Sequence, residues 1–178
     1  MQLDETREAL NKFAKYVVQQ SRSNLTKSDK NVSKELYNSL GYDLNVSKNS
    51  FSLSLLMEDY GVFQDKGVKG KTSSAKAPNS PFQFGSGTGK KGGLTNGIDK
   101  WVRRRRFQFR DKKGRFMSYQ STAFLITRSI YNKGIKPSMF FTKPFEKAFK
   151  GLNEELIKAY ALDVEKFMAT TIKDNLKK

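Results

Sequence analysis

The sequence contains neither cysteine nor histidine among its 178 residues. The chain can therefore form no disulfide, no thiolate nucleophile, no zinc site of the Cys/His type and no Ser-His-Asp triad. Catalysis would have to use carboxylates, lysine, tyrosine or a metal held by oxygen ligands. This composition favours a binding or structural protein over an enzyme, and we predict no catalytic residue, no bound metal and no cofactor.

Long apolar runs are also missing. The longest strictly apolar runs have four residues, such as Ala123 to Ile126, whereas a membrane-spanning helix needs about 20. The first eight residues carry acids where a secretory signal is basic and then apolar. We therefore expect no membrane partner and no secretory signal, and the length predicts a single domain over residues 1–178.

Acidic residues are scarce in the centre of the chain. The whole sequence has 34 Lys and Arg against 17 Asp and Glu, a net charge of +17. Residues 66–115 hold fifteen basic residues and only Asp99 and Asp111, so this segment alone carries +13. Such asymmetry is typical of a protein with a polyanionic or acidic partner. The alternative interpretation is a solvated, lysine-rich surface.

Apolar spacing outlines an α+β fold. Helical periodicity covers residues 3–22 and, more briefly, 32–40. Residues 43–47 and 50–57 predict a hairpin whose second strand alternates apolar and serine positions, as in an antiparallel sheet covered on one face. A long C-terminal helix is predicted over 144–177, where Pro144 suits the first turn and an apolar stripe runs from Phe145 to Phe167.

Residues 66–93 differ from the rest of the chain. They hold seven glycines, two prolines and six lysines, with no acid and few apolar residues. We interpret them as an extended flexible arm used in assembly, because a structureless stretch of this length is usually functional or disordered. The glycines and lysines at 85–91 do not have the spacing of a phosphate-binding loop. The arm residues expected to make contacts are Lys69, Lys71, Lys76, Phe82, Phe84, Lys90 and Lys91.

Residues 94–119 predict a basic helix followed by a basic hairpin, inserted into the fold. Four consecutive arginines end the helix, and since helical neighbours are about 100° apart, they surround its axis. Aromatic residues at 101, 107, 109 and 116 are interleaved with the charges. This mixture suits nucleic acid and suits an acidic protein neighbour equally well. The residues expected to face a neighbouring subunit or DNA are Lys100, Arg103, Arg104, Arg105, Arg106, Arg110, Lys112, Lys113 and Arg115.

Three acids, Glu58, Asp59 and Asp65, lie close together in the sequence just after the predicted hairpin. Carboxylates at such spacing can hold a divalent metal with oxygen ligands. A metal-dependent nuclease using Asp59 and Asp65 is therefore a third interpretation, but acids in a turn or on the surface are the more ordinary explanation.

Two short segments resemble a known family. Tyr60-Gly61-Val62-Phe63-Gln64-Asp65-Lys66-Gly67 follows a strand, and Gly134-Ile135-Lys136-Pro137-Ser138-Met139-Phe140-Phe141-Thr142-Lys143-Pro144-Phe145 leads into the last helix. With the long Gly/Lys loop between them, they resemble the tail-completion or neck (head–tail connector) proteins of tailed bacteriophages, which read Tyr-Ala-x-x-Val-Glu-Phe-Gly-Thr and Pro-x-Pro-Phe-Leu-x-Pro-Ala. The matching positions are Tyr60, Phe63, Gly67, Pro137, Phe140 and Pro144.

The resemblance implies a small curved antiparallel sheet with helices packed on it and several copies arranged as a ring between portal and tail. It further implies a structural virion protein without catalytic residues, made in the host cytoplasm and located at the head–tail junction. Its partners would be copies of itself, portal or adaptor and tail proteins, and packaged DNA in the channel. The alternative function is a nucleic-acid-binding protein that uses the basic segment at 100–116.

Overall fold

The structure, a computed structural model, describes residues 3–28, 33–47, 50–86 and 93–175. Within these ranges the chain forms six helices and two antiparallel two-stranded sheets, which confirms the predicted α+β class. The helices are α1 Asp4–Lys27, α2 Glu35–Ser39, α3 Gly61–Lys66, α4 Gly93–Arg105, α5 Tyr119–Lys133 and α6 Thr142–Asn175, and the strands are β1 Gly41–Val46, β2 Phe51–Leu56, β3 Val68–Lys69 and β4 Gly134–Ile135.

Internal contacts divide the chain into two compact units. Unit 1 comprises Met1–Lys27, Glu35–Glu58 and Phe140–Lys178, and unit 2 comprises Ser28–Lys34 and Asp59–Met139. Unit 1 contains α1, α2, the β1–β2 hairpin and α6. Unit 2 contains α3, α4, α5 and the short β3–β4 pair. The single-domain assignment stays a prediction, since one domain can contain two such units.

The core of unit 1 lies between α1 and α6, which run antiparallel. Phe13 and Val17 on α1 pack with Leu152 on α6, and the Phe13 ring meets Phe145 edge-on at 5.7 Å. Towards the other end of α1, Leu25 packs with Phe140, just before α6. The predicted first helix is therefore present, and it continues five residues beyond residue 22 because its apolar face extends to Leu25.

The predicted hairpin is confirmed within unit 1. Its strands pair from Gly41 opposite Leu56 to Val46 opposite Phe51. Leu53 and Leu55 face the helices and contact the two apolar clusters of the unit. Alternation of apolar and serine residues had predicted this one-sided burial, and the sheet of this unit consists of the hairpin alone among the described residues.

A buried carboxylate joins the two long helices of unit 1. Asp163 on α6 is 2% exposed and accepts hydrogen bonds from the Glu5 amide at 3.0 Å, the Thr6 amide at 3.0 Å and the Thr6 hydroxyl at 2.8 Å. Burial opposes ionisation, but these three bonds outweigh it and lower the pKa of Asp163 below its ordinary value. The carboxylate thus caps the positive N-terminus of α1 from another helix.

In unit 2, residues 66–86 differ from the predicted extended arm. Val68 and Lys69 pair with β4, and Lys69 also exchanges backbone hydrogen bonds with Phe82 and Phe84. Ala77 is 1% exposed inside this loop. The segment is folded because its backbone groups find partners in the loop itself, in β4 and at the end of α5, although it offers few apolar side chains. Lys90 and Lys91 lie outside the described residues.

Close backbone packing explains two glycines of this loop junction. A methyl group at Gly134, where φ is +84°, would lie 2.3 Å from the Val68 carbonyl oxygen, and one at Gly70 would lie 2.0 Å from that of Asn132. No larger residue fits either site without moving the backbone. β3 and β4 can therefore pair only because both glycines lack a side chain.

Helices α4 and α5 form the rest of unit 2. Val102 on α4 and Thr122 and Ala123 on α5 are fully or almost fully buried. Ser118 caps α5 by accepting a hydrogen bond from the Ser121 amide at 3.0 Å. α4 matches the predicted basic helix, which begins at residue 94 and ends in the four arginines, within one residue at each end. Among the described residues, no helix combines the length and apolar character that crossing a membrane requires.

Candidate interaction surface

The basic segment of unit 2 begins where α4 ends. The amide of Arg106 bonds to the carbonyl of Arg103 at 3.1 Å, and the amide of Phe107 bonds to that of Val102 at 3.0 Å. This pair of bonds is the Schellman arrangement, which places the residue after the helix in the left-handed region. That residue is Arg106, with φ of +51°, although glycine is the residue usually found there.

Among the described residues, the predicted basic hairpin is present in a short form without regular strands. Its two arms pair through the antiparallel bridge between Arg110 and Phe116, and the Met117 and Asp111 amides donate across it to the Phe109 and Arg115 carbonyls at 2.8 and 2.9 Å. Asp111 closes the turn: its carboxylate accepts bonds from the amides of Lys113 and Arg115 at 2.8 and 2.9 Å and pairs with the Arg115 guanidinium at 3.1 Å. The Arg115 amide is the main reason that the pKa of Asp111 lies below its ordinary value. These side-chain bonds close the turn that joins the two arms of the hairpin.

Aromatic rings form a row on this surface. The Trp101 and Phe107 rings are 6.1 Å apart between centroids, and Phe107 and Phe109 are 5.2 Å apart. Trp101, Phe107 and Phe109 are 37%, 40% and 38% exposed, and Phe116 is 63% exposed. Phe116 lies beneath the Arg110 guanidinium, whose central carbon is 4.3 Å from the ring centroid. The interleaved aromatics are therefore partly solvent-facing rather than buried.

The basic side chains around this row of rings differ in their contacts and exposure. Arg103 pairs with Asp99 on the preceding turn at 2.9 Å and lies over the Tyr119 ring at 5.8 Å. Arg104 and Arg105 each make at least one interaction within the chain. Lys100, Arg106, Arg110, Lys112, Lys113 and Arg115 are exposed. All nine predicted basic residues thus belong to one stretch of unit 2, which includes a single acid, Asp111, between residues 100 and 116.

The predicted arm residues lie elsewhere in unit 2 and are mostly engaged. The Phe82 ring meets Phe63 edge-on at 4.7 Å, and the Phe84 ring lies 5.7 Å from that of Tyr131. Lys71 lies over the same Tyr131 ring at 5.9 Å, and Lys76 is exposed. The aromatic residues thus fasten the loop to its own unit. Their predicted role in assembly stays a prediction.

The two segments that carry the family resemblance meet within unit 2. The Ser138 amide and hydroxyl donate to the Gln64 carbonyl at 3.2 and 2.6 Å, and the Met139 amide donates to the Asp65 carbonyl at 3.0 Å. A methyl group at Gly67 would lie 2.7 Å from the Pro137 nitrogen. Segments about seventy residues apart in sequence therefore form one packed structure.

The remaining motif positions lie next to helices or in the core. Tyr60 is the residue before α3, Phe140 is 1% exposed in the core of unit 1, and Pro144 is buried in the first turn of α6. Among the described residues, no group of three or more acids is close enough to hold a metal ion. Asp65 is almost fully buried at the end of α3, where its side chain faces the protein.

A second surface, on α6, was not anticipated from the sequence. Lys166 pairs with Glu5 at the first turn of α1, and α6 continues from there to Asn175. Ile157, at 70%, is the most exposed large apolar residue of the helix. Five other exposed apolar residues of α6 lie within about 80° of Ile157 around the helix axis: Phe149, Tyr160, Phe167, Met168 and Ile172.

Comparison with known proteins adds no relative: no family model, curated protein or solved structure matches the chain. The two surfaces and the packed motif segments are therefore the observations from which function is inferred.

Proposed function

We propose that this chain is a structural virion protein that assembles into an oligomeric ring at the head–tail junction of a tailed phage, joining the portal or adaptor to the tail. The observation that carries the proposal is the exposed apolar side of α6. A helix side that exposes several large apolar residues is a candidate interaction site, and a ring subunit has to bury surface against its neighbours.

The length of α6 supports the same conclusion. At 1.5 Å per residue its 34 residues span about 50 Å. Every side chain described beyond Lys166, as far as Lys173, is exposed. A helix that continues past its own core while keeping Phe167, Met168 and Ile172 gains little within unit 1. Contact with another subunit explains why these residues are apolar.

The assignment to the neck rests on the resemblance of the two motif segments. Their resemblance lies in short stretches, and those stretches pack against one another around Gly67 and Pro137. Two motif segments that pack against each other support the resemblance more strongly than two segments that do not touch. The predicted absence of catalytic residues accords with a structural role.

Quantitative peptide mass spectrometry on density-purified particles encoded by the same genome tests this function. We expect a few to a few tens of copies per particle. Absence from particles, together with abundance in the infected-cell lysate, would reject a virion role.

Light scattering of the purified chain tests the α6 surface separately. We expect wild-type oligomers and a shift to monomers in Ile157→Lys and Phe167→Lys. Leu162→Lys is the matched control, because Leu162 is also exposed and apolar but lies about 140° around the helix from Ile157. Equal disruption by all three variants would show that added charge, rather than this side of α6, controls assembly.

A further inference from the structure

We infer that the row of exposed aromatic rings on unit 2, together with its surrounding arginines and lysines, is a binding surface for single-stranded nucleic acid. This goes beyond a ring subunit, which needs no exposed aromatic–basic surface of this kind. The surface comprises Trp101, Phe107, Phe109 and Phe116 with the basic residues of the 100–116 segment.

The aromatic rings distinguish this surface from a merely basic one. Rings that serve only as core are buried, whereas these four are each more than one third exposed. Two consecutive ring contacts join Trp101, Phe107 and Phe109 into a continuous row. Unpaired bases stack on such rings whatever their sequence, because every base has a π-face.

The charge density supplies the second requirement. Nine basic residues and one acid lie between residues 100 and 116, and the acid, Asp111, is engaged in its own turn. Lys100, Lys112 and Lys113 lie on the same stretch as the rings, and lysine is depleted in protein–protein interfaces. Phosphate contacts by lysine and arginine are, by contrast, the main source of affinity for nucleic acid.

Arg106 adopts a left-handed backbone conformation that arginine does not favour. The Schellman end of α4 favours glycine, yet an arginine occupies the left-handed position next to the first ring of the loop. Violations of local backbone preference tend to occur at functional sites. With arginine at this position, a cation lies between Trp101 and Phe107 in the sequence. It would contact a phosphate while the neighbouring bases stack on the rings.

Single strands fit better than duplex DNA because a closed duplex does not present base faces to an aromatic row. Duplex would engage the cations alone, through its phosphates. An acidic protein would likewise pair with the arginines without requiring the rings. Removing the rings while keeping the charges therefore distinguishes single-stranded nucleic acid from duplex DNA and from an acidic protein.

The test is fluorescence anisotropy of the full chain with a fluorescein-labelled 20-nucleotide oligothymidylate. We expect Phe109→Leu and Phe116→Leu each to weaken binding about tenfold, within the range measured for loss of one base–aromatic stack. Both variants keep every charge, and Phe116 is exposed enough that its replacement leaves the fold intact. Lys112→Gln/Lys113→Gln should lower the slope of log affinity against log salt by about 1.4.

Lys147→Gln/Lys150→Gln is the matched control, since it removes two exposed lysines from α6 in unit 1 and should leave binding unchanged. Four results would overturn the inference: no binding at 50 mM salt, leucine variants that bind like wild type, a 20-base-pair duplex that binds as tightly as the single strand, or polyglutamate that displaces the labelled strand as well as unlabelled oligothymidylate does. The last two would identify duplex DNA or an acidic protein as the partner.

Discussion

Replacing Asp163 with alanine should destabilise unit 1 by about 3 kcal/mol. The side chain is buried and accepts three hydrogen bonds from the first turn of α1. Each bond to a charged group is worth about 1.5–3 kcal/mol, so the lower values sum to about 4.5. Alanine also removes the cost of burying a charge, and water can reach the partly buried Glu5 amide, which reduces the expected loss.

The isosteric variant Asp163→Asn should lose about 2 kcal/mol despite its unchanged shape. Both carboxylate oxygens accept hydrogen bonds in the native structure, whereas an amide turns one of these positions into a donor that faces another N–H or O–H group. Thr6→Ala removes one of the three donors. The double variant of Thr6 and Asp163 should therefore be less destabilised than the sum of the single variants.

The effect should depend on pH in a defined direction. Because the native pKa of Asp163 is lowered, its stabilisation is fully present above the unfolded carboxyl value of about 3.9 and is lost as pH falls through the lower native pKa. The difference between wild type and Asp163→Asn should thus be largest near neutral pH and shrink in acid.

Hydrogen exchange measured by mass spectrometry on α1 peptides is the appropriate assay. The single tryptophan, Trp101, lies in unit 2, so its fluorescence reports on that unit and serves as an internal control. Glu165→Ala, an exposed acid two positions away on α6, should behave like wild type. A loss below about 0.5 kcal/mol for Asp163→Ala would refute the reasoning, because three bonds to a buried carboxylate cannot be worth so little.

Three further substitutions should change stability, and urea denaturation followed by circular dichroism measures each. Gly134→Ala should cost more than about 2 kcal/mol, because its methyl group would overlap the Val68 carbonyl at a positive φ; a neutral result would mean that β3 and β4 separate freely. Arg106→Gly should stabilise by about 0.5–1 kcal/mol by relieving the left-handed position, and a loss would instead reveal a stabilising role for the arginine. Ser21→Ala should stabilise by about 0.5–1 kcal/mol, since the fully buried hydroxyl has no hydrogen-bond partner among the described residues; destabilisation would indicate a bound water.

Periodicity predicted the elements whose stability depends on one apolar face. The alternation through Leu53 and Leu55 fixed both the hairpin and the side of it that is buried, and the spacing through Phe13 and Val17 identified α1. Pro144 correctly indicated the start of α6, which begins two residues earlier at Thr142. In each case the residues that determine the element lie within the element itself, so a local pattern is enough to predict it.

The failures have a different physical origin. The loop at 66–86 is ordered by backbone hydrogen bonds within the loop and to Tyr131 on α5, together with the ring contacts of Phe82 and Phe84. The composition of a segment does not reveal which backbone bonds it will form. Asp163 reaches Thr6 across 157 positions, which no local pattern records. The apolar stripe predicted on α6 from Phe145 to Phe167 is not one buried face: only part of it meets α1, while Tyr160 and Phe167 are exposed.

The two candidate surfaces should respond oppositely to salt, because different forces govern them. Burial of apolar residues on α6 is insensitive to screening, so oligomers formed through Ile157 and Phe167 should persist from 0.1 to 1 M sodium chloride. Oligonucleotide binding at the aromatic–basic surface should weaken by orders of magnitude over that range, since it releases counterions from phosphates. Light scattering and anisotropy on the same samples measure both. Oligomers that dissociate in step with the oligonucleotide would contradict the separation and place the subunit contact on the basic residues instead.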